Sequence, residues 1–293
     1  MSDEAPDALG ALVAAELARR PPDPLGRLVE AILDRHGEAV RAILFYGSCR
    51  RTGDLSGLID LYVLYDAHRG FHGGRLAALA NRLLPPNVTL LSAGGLRAKV
   101  ATLSMRQFQR RVARDAIDTT IWTRFSQPCS LLHARDECTR RAVATMVAEA
   151  GRTAVFWARA LNPGREAPAA IWQGLFARTY RAELRPESAN QPGLLYETNA
   201  AWFDALLAAV PPEPGRPARP AGGWALRRLC GRPLNMARLA KAAFTFAGGA
   251  DYILWKLQRH AGIRLSLNDW QRRHPLLAAP GVLWRLRRMG ALR

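Results

Sequence analysis

The feature that most constrains the fold is a pair of apolar runs separated by a Gly-Ser turn. Residues 42–46 form the first run, Gly47 and Ser48 follow it, and residues 58–65 form the second run. Short apolar runs bounded by turn residues are typical of buried β-strands. We therefore predict two buried strands joined through this turn.

Apolar periodicity along the rest of the chain predicts an α+β protein. Further strands are expected at 88–93, 98–103 and 130–133. Helices are expected at 8–19, 25–36, 75–84, 104–113, 119–125, 143–161, 169–178 and 199–210. Ser104 with Gln107 three residues later is the pattern of a capping box at a helix start.

Changes of pattern divide the chain into five segments. Residues 211–220 contain five prolines in ten positions, which is typical of a linker. The predicted segments are N-terminal helices at 1–36, a mixed-sheet core at 37–135, a helical domain at 136–210, this linker, and a basic helical region at 221–293.

Positive charge is concentrated in the last segment. The chain has a net charge of +18, and residues 221–293 hold 14 Arg and Lys against two acids, so +12 of the total lies there. The same segment contains four of the eight tryptophans. A basic segment with aromatic residues suits an anionic membrane surface or a nucleic acid. It equally suits a basic helical domain whose tryptophans form its core.

Several protein classes are excluded by the pattern. No run approaches the roughly 18 apolar residues of a membrane-spanning helix. The first residues are acidic and lack the features of a signal or transit peptide. The four cysteines, Cys49, Cys129, Cys138 and Cys230, show no zinc-binding spacing. We therefore expect a cytoplasmic protein with free thiols.

The turn at Gly47 and Ser48, together with Asp60, suggests nucleotide chemistry. A Gly-Ser turn after a buried strand exposes backbone N–H groups and a hydroxyl to phosphates, and a carboxylate on the next strand can hold magnesium beside them. The pattern resembles the polymerase-beta-like nucleotidyltransferases, in which Gly-Ser is followed by a D-x-D pair. Here the second carboxylate of the pair is replaced by Leu58 or Tyr62.

The order of further motifs resembles the mitochondrial-type phosphatidate cytidylyltransferases, which are peripheral CDP-diacylglycerol synthases. The resemblance covers about residues 40–190, and none of its motifs falls on 221–293. The chain departs from the family at Gln127 (Lys in the family), Ala182 (Gly) and Glu183 (Asp). The matching residues are Tyr46, Gly47, Ser48, Asp60, Asp66, Lys99, Asp118, Trp122, Arg124, Pro128, Tyr180, Glu183 and Arg185.

The resemblance implies a nucleotidyltransferase-like mixed sheet flanked by helices, followed by a mainly helical C-terminal region. It implies transfer of a cytidylyl group from CTP to phosphatidic acid, with Mg²⁺ as cofactor. The implied roles are catalysis for Asp60, Lys99 and Arg124, and nucleotide binding for Tyr46, Gly47, Ser48 and Gln127. Asp60 and Asp118 would bind the metal, and Asp66, Tyr180, Glu183 and Arg185 would contact substrate.

Each of these residues also has a structural interpretation. Lys99 could protect a strand edge, and Asp118 could equally be a helix N-cap. Tyr180, Glu183 and Arg185 could form an exposed helix face with a local ion pair. Trp122 and Phe125 are expected in the core.

A lipid substrate would require contact with a membrane. The pattern of residues 282–289 predicts a short basic amphipathic helix. Such a helix suits an anionic bilayer, and it equally suits docking on the enzyme. For a bilayer-bound enzyme without a targeting peptide, the expected place is the inner face of a bacterial cell membrane. Two alternatives stay open: a nucleotidyltransferase-like protein that acts on or binds nucleic acid, and a catalytically inactive membrane-associated scaffold.

Overall fold

The computed structural model is built around a five-stranded mixed sheet. It describes residues 7–66, 71, 75–183, 191–212, 220–245, 268, 270, 271, 281, 284 and 285. The sheet order is β3-β4-β2-β1-β5, in which β2 and β4 are parallel and the other neighbours are antiparallel. The strands are β1 (Val40–Tyr46), β2 (Ile59–Tyr65), β3 (Asn87–Ala93), β4 (Leu96–Ser104) and β5 (Ser130–Ala134).

Helices cover both faces of the sheet and make up most of the described chain after it. The first six are α1 (Ala8–Leu17), α2 (Gly26–His36), α3 (Ser48–Thr52), α4 (Arg75–Leu83), α5 (Met105–Val112) and α6 (Thr119–Phe125). The later ones are α7 (Glu137–Leu161), α8 (Pro168–Glu183), α9 (Gln191–Glu197), α10 (Ala200–Ala209) and α11 (Pro220–Thr245). Two single-turn 3₁₀ helices, Asp23–Leu25 and Gly37–Ala39, flank α2. This arrangement confirms the predicted α+β class with a helix-flanked mixed sheet.

The sheet separates two hydrophobic cores because successive side chains of a strand point to opposite faces. Ile43, Val63 and their neighbours pack under α2 in the smaller core. Leu44 and Leu64 belong to the larger core, which the helices α1 and α5 to α11 complete. Trp122 and Phe125 are fully buried in the larger core, as expected.

The predicted capping box begins α5. The Ser104 side chain accepts a hydrogen bond from the Gln107 backbone N–H at 3.2 Å, and the Gln107 side chain accepts one from the Ser104 N–H at 2.9 Å. Two orphan donors of the helix start are thereby satisfied. The cap fixes the point at which β4 turns back over the sheet.

The first part of the basic C-terminal region is a helix docked on the core. In α11, Trp224 is buried against Trp157 of α7, with ring centroids 5.4 Å apart, and the Arg227 guanidinium stacks on the same Trp157 ring at 4.2 Å. Among the described residues, no helix is both long and apolar enough to cross a membrane. Most of the predicted linker and of the segment 282–289 lies outside the described residues; Trp284 and Arg285 are helical and exposed.

Candidate active site

The candidate site lies where three strands place polar side chains in register. Tyr46 of β1 is paired with Asp60 of β2, and Asp60 is paired with Lys99 of β4. The Lys99 Nζ atom lies 3.6 Å from Asp60 Oδ1, and about a quarter of each side chain is exposed. Because side chains of paired residues on adjacent strands point to the same face of a sheet, these three residues become neighbours although they are far apart in sequence.

The turn after β1 is fitted closely around the Asp60 carboxylate. Gly47 has φ +88°, and a Cβ atom at this position would lie 2.7 Å from Asp60 Oδ2. A side chain is therefore excluded both by the backbone conformation and by the carboxylate. Ser48 is exposed and begins the short helix α3. The structure thus brings together Gly47, Ser48 and Asp60, as the sequence predicts.

Aromatic rings and a half-buried cation, Arg124, lie beside the turn. The rings of Tyr46, Tyr62 and Phe125 pack with centroids 5.1 to 5.7 Å apart. Burial would lower the pKa of the Arg124 guanidinium, but Tyr62, Tyr46 and the carboxylates of Glu183 and Asp60 raise it overall. Arg124 is therefore a permanent positive charge close to the predicted nucleotide-binding residues.

Tyr62 is one of the two positions, with Leu58, at which the D-x-D pattern would have its second carboxylate. Its side chain is 2% exposed, and burial raises its pKa, with nearby Arg124 and Arg238 acting in the opposite direction. The hydroxyl is therefore neutral at physiological pH. At this position the protein offers a neutral phenol and not a metal-binding carboxylate.

Asp118 is held in a cluster of arginines. Its Oδ2 atom lies 2.6 Å from Arg111 Nη1, and Arg238 of α11 contacts both carboxylate oxygens. Its Oδ1 atom also caps α6 by accepting the Thr120 N–H at 3.1 Å. Burial would raise the pKa of this carboxyl, but Arg238 and Arg111 hold it well below its ordinary value. The N-cap interpretation is confirmed, and both oxygens are already engaged by protein groups.

The remaining predicted residues, where the structure describes them, make local contacts in the helical part of the larger core. Glu183 is buried and accepts the Thr119 hydroxyl at 2.6 Å. Gln127 donates to the Thr123 carbonyl at 3.0 Å at the end of α6, and Tyr180 packs against the larger core. Arg185 lies outside the described residues.

Asp66 is not brought to the turn. It follows the far end of β2, about 20 Å along the strand from Asp60 at about 3.3 Å per residue. There it contacts Arg41 and Arg135, each at 3.4 Å. We therefore leave Asp66 out of the site.

The described side chains do not form a complete set of ligands for a metal ion that the protein would bind without a nucleotide. The described part of the chain contains no group of three carboxylate, His or Cys side chains that could hold one. Asp118, the predicted second ligand, is committed to its two arginines. A magnesium ion that arrives on a triphosphate needs one or two protein carboxylates, because phosphate oxygens supply further ligands. Asp60 meets that smaller requirement.

Two interactions that support the site have no signal in the sequence. Arg50, on α3, donates to the Glu16 carboxylate of α1 and to the Ser130 hydroxyl of β5. Arg238 reaches Asp118 across 120 residues of sequence. Arg50 ties the helix after the turn to two distant elements, and Arg238 ties α11 to the start of α6.

Comparison with known proteins gives little similarity. No protein-family model matches the sequence, and no curated protein matches it. Among solved structures, a nucleotidyltransferase-like protein from Exiguobacterium sibiricum aligns over 90% of this chain and 91% of its own, with 11% identity and a TM-score of 0.28. At these values the neighbour's name does not bear on the function of this chain.

Proposed function

We propose that this protein transfers a cytidylyl group from CTP to phosphatidic acid, giving CDP-diacylglycerol and pyrophosphate at a membrane surface. The observation that carries the proposal is the register of Tyr46, Asp60 and Lys99 beside the Gly47 turn. This arrangement combines a backbone turn, one carboxylate and one cation, and the motif order of the cytidylyltransferases supports the choice of substrates.

The triphosphate would lie against the turn. Phosphate oxygens would accept hydrogen bonds from the backbone N–H groups that follow Gly47, and the exposed Ser48 hydroxyl can donate to them. Lys99 and Arg124 would stabilise the charge that develops on the pyrophosphate leaving group. Magnesium bound to the triphosphate, with Asp60 as its protein ligand, would supply further charge stabilisation.

The acceptor requires no general base. A phosphate monoester has its second pKa near 6, so its attacking oxygen is already largely ionised at neutral pH. That oxygen forms a bond to the α-phosphorus of CTP while the bond from the α-phosphorus to the bridging oxygen breaks. Tyr62 in place of a second carboxylate is therefore compatible with this acceptor, whereas a hydroxyl acceptor would need a base.

Contact with the lipid would involve the basic C-terminal region. Trp284 and Arg285 are helical and exposed, and Arg287 and Arg288 follow them in sequence. Each Arg near an anionic bilayer contributes about 1 kcal/mol to binding. Charge reversal at Arg285, Arg287 and Arg288 in the full chain should reduce flotation with phosphatidic acid vesicles. Unchanged flotation would remove the membrane role from this segment.

The test is incubation with labelled CTP, magnesium and vesicles containing phosphatidic acid. The wild type should place the label in an organic-soluble CDP-lipid. Asp60→Asn should lower this turnover by at least about 100-fold, because electrostatic groups of this kind contribute about that much to catalysis. Asp34→Asn, at an exposed position on α2, is the matched control and should retain activity. An active Asp60→Asn enzyme would contradict the assignment.

The buried Tyr62 favours a second candidate, a nucleotide-binding relative without catalysis. This alternative predicts CTP binding that Lys99→Ala weakens, with no labelled lipid under any condition. Steeply salt-dependent binding to RNA or DNA would instead favour a nucleic-acid partner. The wild-type assay therefore separates the transferase from both alternatives.

A further inference from the structure

A cleft on the outer surface of α8 is lined by three arginines. Its volume is about 350 Å³, within the range of small-ligand sites. It shares no residue with the candidate active site. The lining consists of Arg165, Gln173, Gly174, Ala177, Arg178 and Arg181.

A buried asparagine fixes the central arginine of this cleft. Asn162, 4% exposed, donates through Nδ2 to the Ala158 and Ile171 carbonyls at 2.8 and 3.1 Å. Its Oδ1 atom accepts from Arg178 Nη1 at 2.9 Å, and the same nitrogen donates to the Gly174 carbonyl at 3.2 Å. Both Nη1 protons of Arg178 are thus used for positioning. The guanidinium is held in place before any ligand binds, which lowers the entropy cost of binding.

Gly174 makes this arrangement possible. A Cβ atom at position 174 would lie 2.1 Å from Asn162 Oδ1. The asparagine amide could therefore not pack against α8 at this position if residue 174 had a side chain. Gly174 and Ala177 also leave the floor of the cleft without large side chains. The cleft is therefore a consequence of a specific small residue beside a buried amide.

The charge of the cleft is uncompensated within the described chain. Arg165 donates to the Ala170 carbonyl at 3.3 Å, and Arg165 and Arg181 are exposed. No described carboxylate lines the cleft or forms an ion pair with its three guanidinium groups. Three guanidinium groups that line one cleft, with no acid among its lining residues, suit an anion, and their planar donor geometry suits phosphoryl oxygens.

We propose that this cleft is a second, separate binding site for a phosphate-bearing anion. Arg178 supplies the preoriented guanidinium, and Arg165 and Arg181 close on the phosphoryl group from the rim. The phosphate could belong to a free or nucleotide phosphate or to a lipid headgroup, which share the chemistry that the arginines recognise. The site does not depend on the proposed transferase activity.

The test is calorimetric titration of the full-length protein with pyrophosphate, CMP and dihexanoyl phosphatidic acid below its micelle concentration. All titrations are repeated in a Lys99→Ala background, so that anions bound at the Gly47 turn are distinguished from anions bound in the cleft. The double variant R165A/R181A should weaken binding of the preferred probe by about tenfold or more, as expected for lost hydrogen bonds to a charged group. Arg178→Lys keeps the positive charge but loses the planar set of guanidinium donors. This variant should therefore also weaken binding of the preferred probe.

A matched control removes the same charge elsewhere. Arg106 and Arg141 are exposed on α5 and α7, so R106A/R141A should bind as the wild type does. Equal binding by R165A/R181A and wild type would overturn the proposal, and so would an equal loss in the control pair. Absence of wild-type binding to all three probes would overturn it as well. Preference for CMP or pyrophosphate over the lipid would assign the phosphate to a soluble ligand, and the reverse preference to a headgroup.

Discussion

At the scale of single residues, the site depends on one close approach between Gly47 and Asp60. The sequence predicted both residues, because a Gly-Ser turn and a carboxylate on the next strand are local signals. The family resemblance placed Lys99 in the same predicted site, but local patterns could not predict its direct pairing with Asp60, since β2 and β4 are not consecutive strands. The arginines around Asp118 were missed for the same reason.

Gly47→Ala should disrupt the site in two ways, through backbone strain and through a clash with the Asp60 carboxylate. The left-handed φ costs about 1 to 3 kcal/mol for a residue with a side chain, and the new Cβ would also displace the Asp60 carboxylate. We expect lower stability and loss of CTP binding, measured by urea unfolding and calorimetry. Gly53→Ala is the matched control, because Gly53 has φ +75° with no atom within 4 Å of a Cβ. Retained CTP binding by Gly47→Ala would contradict the close-approach argument.

The Asp118 cluster predicts a specific acid dependence of stability. The folded-state pKa of Asp118 lies below its ordinary value of 3.8, so its contribution is complete above that pH and is lost as the pH falls through the folded pKa. Asp118→Asn should cost about 3 to 5 kcal/mol at pH 7, because two half-buried arginines lose their buried carboxylate partner. The difference between wild type and variant, measured by urea unfolding, should shrink below about pH 3.8. A difference that does not change with pH would contradict the ion-pair account.

At the scale of elements, patterns that are local in sequence were predicted well. The five strands and the capping box of α5 follow from apolar runs and a four-residue motif. The helix α3 was expected only as part of a turn, because its five residues are too few to show periodicity. Its position is fixed by long-range contacts of Arg50, which no local pattern reveals.

The Glu16–Arg50 ion pair should position α3 for nucleotide binding. Glu16→Gln leaves the Arg50 charge without its carboxylate, and we expect a loss of about 1 to 3 kcal/mol in unfolding free energy. If the protein is active, the KM for CTP should rise more than kcat falls, because Arg50 acts on the turn through α3. The control is Glu30→Gln, at an exposed position on α2. A fall in kcat with unchanged KM would contradict this positioning role.

At the scale of the whole molecule, α11 joins the helical region to the sheet. Besides the Trp224 contact, Arg238 donates to the Pro85 carbonyl at 2.9 Å, and Lys241 donates to the Pro86 carbonyl at 2.6 Å. Both carbonyls belong to the segment before β3. Composition alone suggested a basic surface for α11, but its inner cations are used to hold parts of the fold together.

Trp224→Ala should show that α11 belongs to the cooperative core. Trp224 is 6% exposed and packs on Trp157, so we expect its removal to cost about 3 to 5 kcal/mol of unfolding free energy. Leu229→Ala changes an apolar side chain on the same helix that is 73% exposed, and should change that free energy by no more than about 0.5 kcal/mol. Both are measured by urea unfolding of the full chain, followed by far-ultraviolet circular dichroism and by tryptophan fluorescence. Coincident transitions, shifted together in Trp224→Ala, are expected because α11 also contacts the sheet through the Lys241 hydrogen bond to Asn87 of β3. A separate early transition in the wild type would instead make α11 an independently unfolding unit.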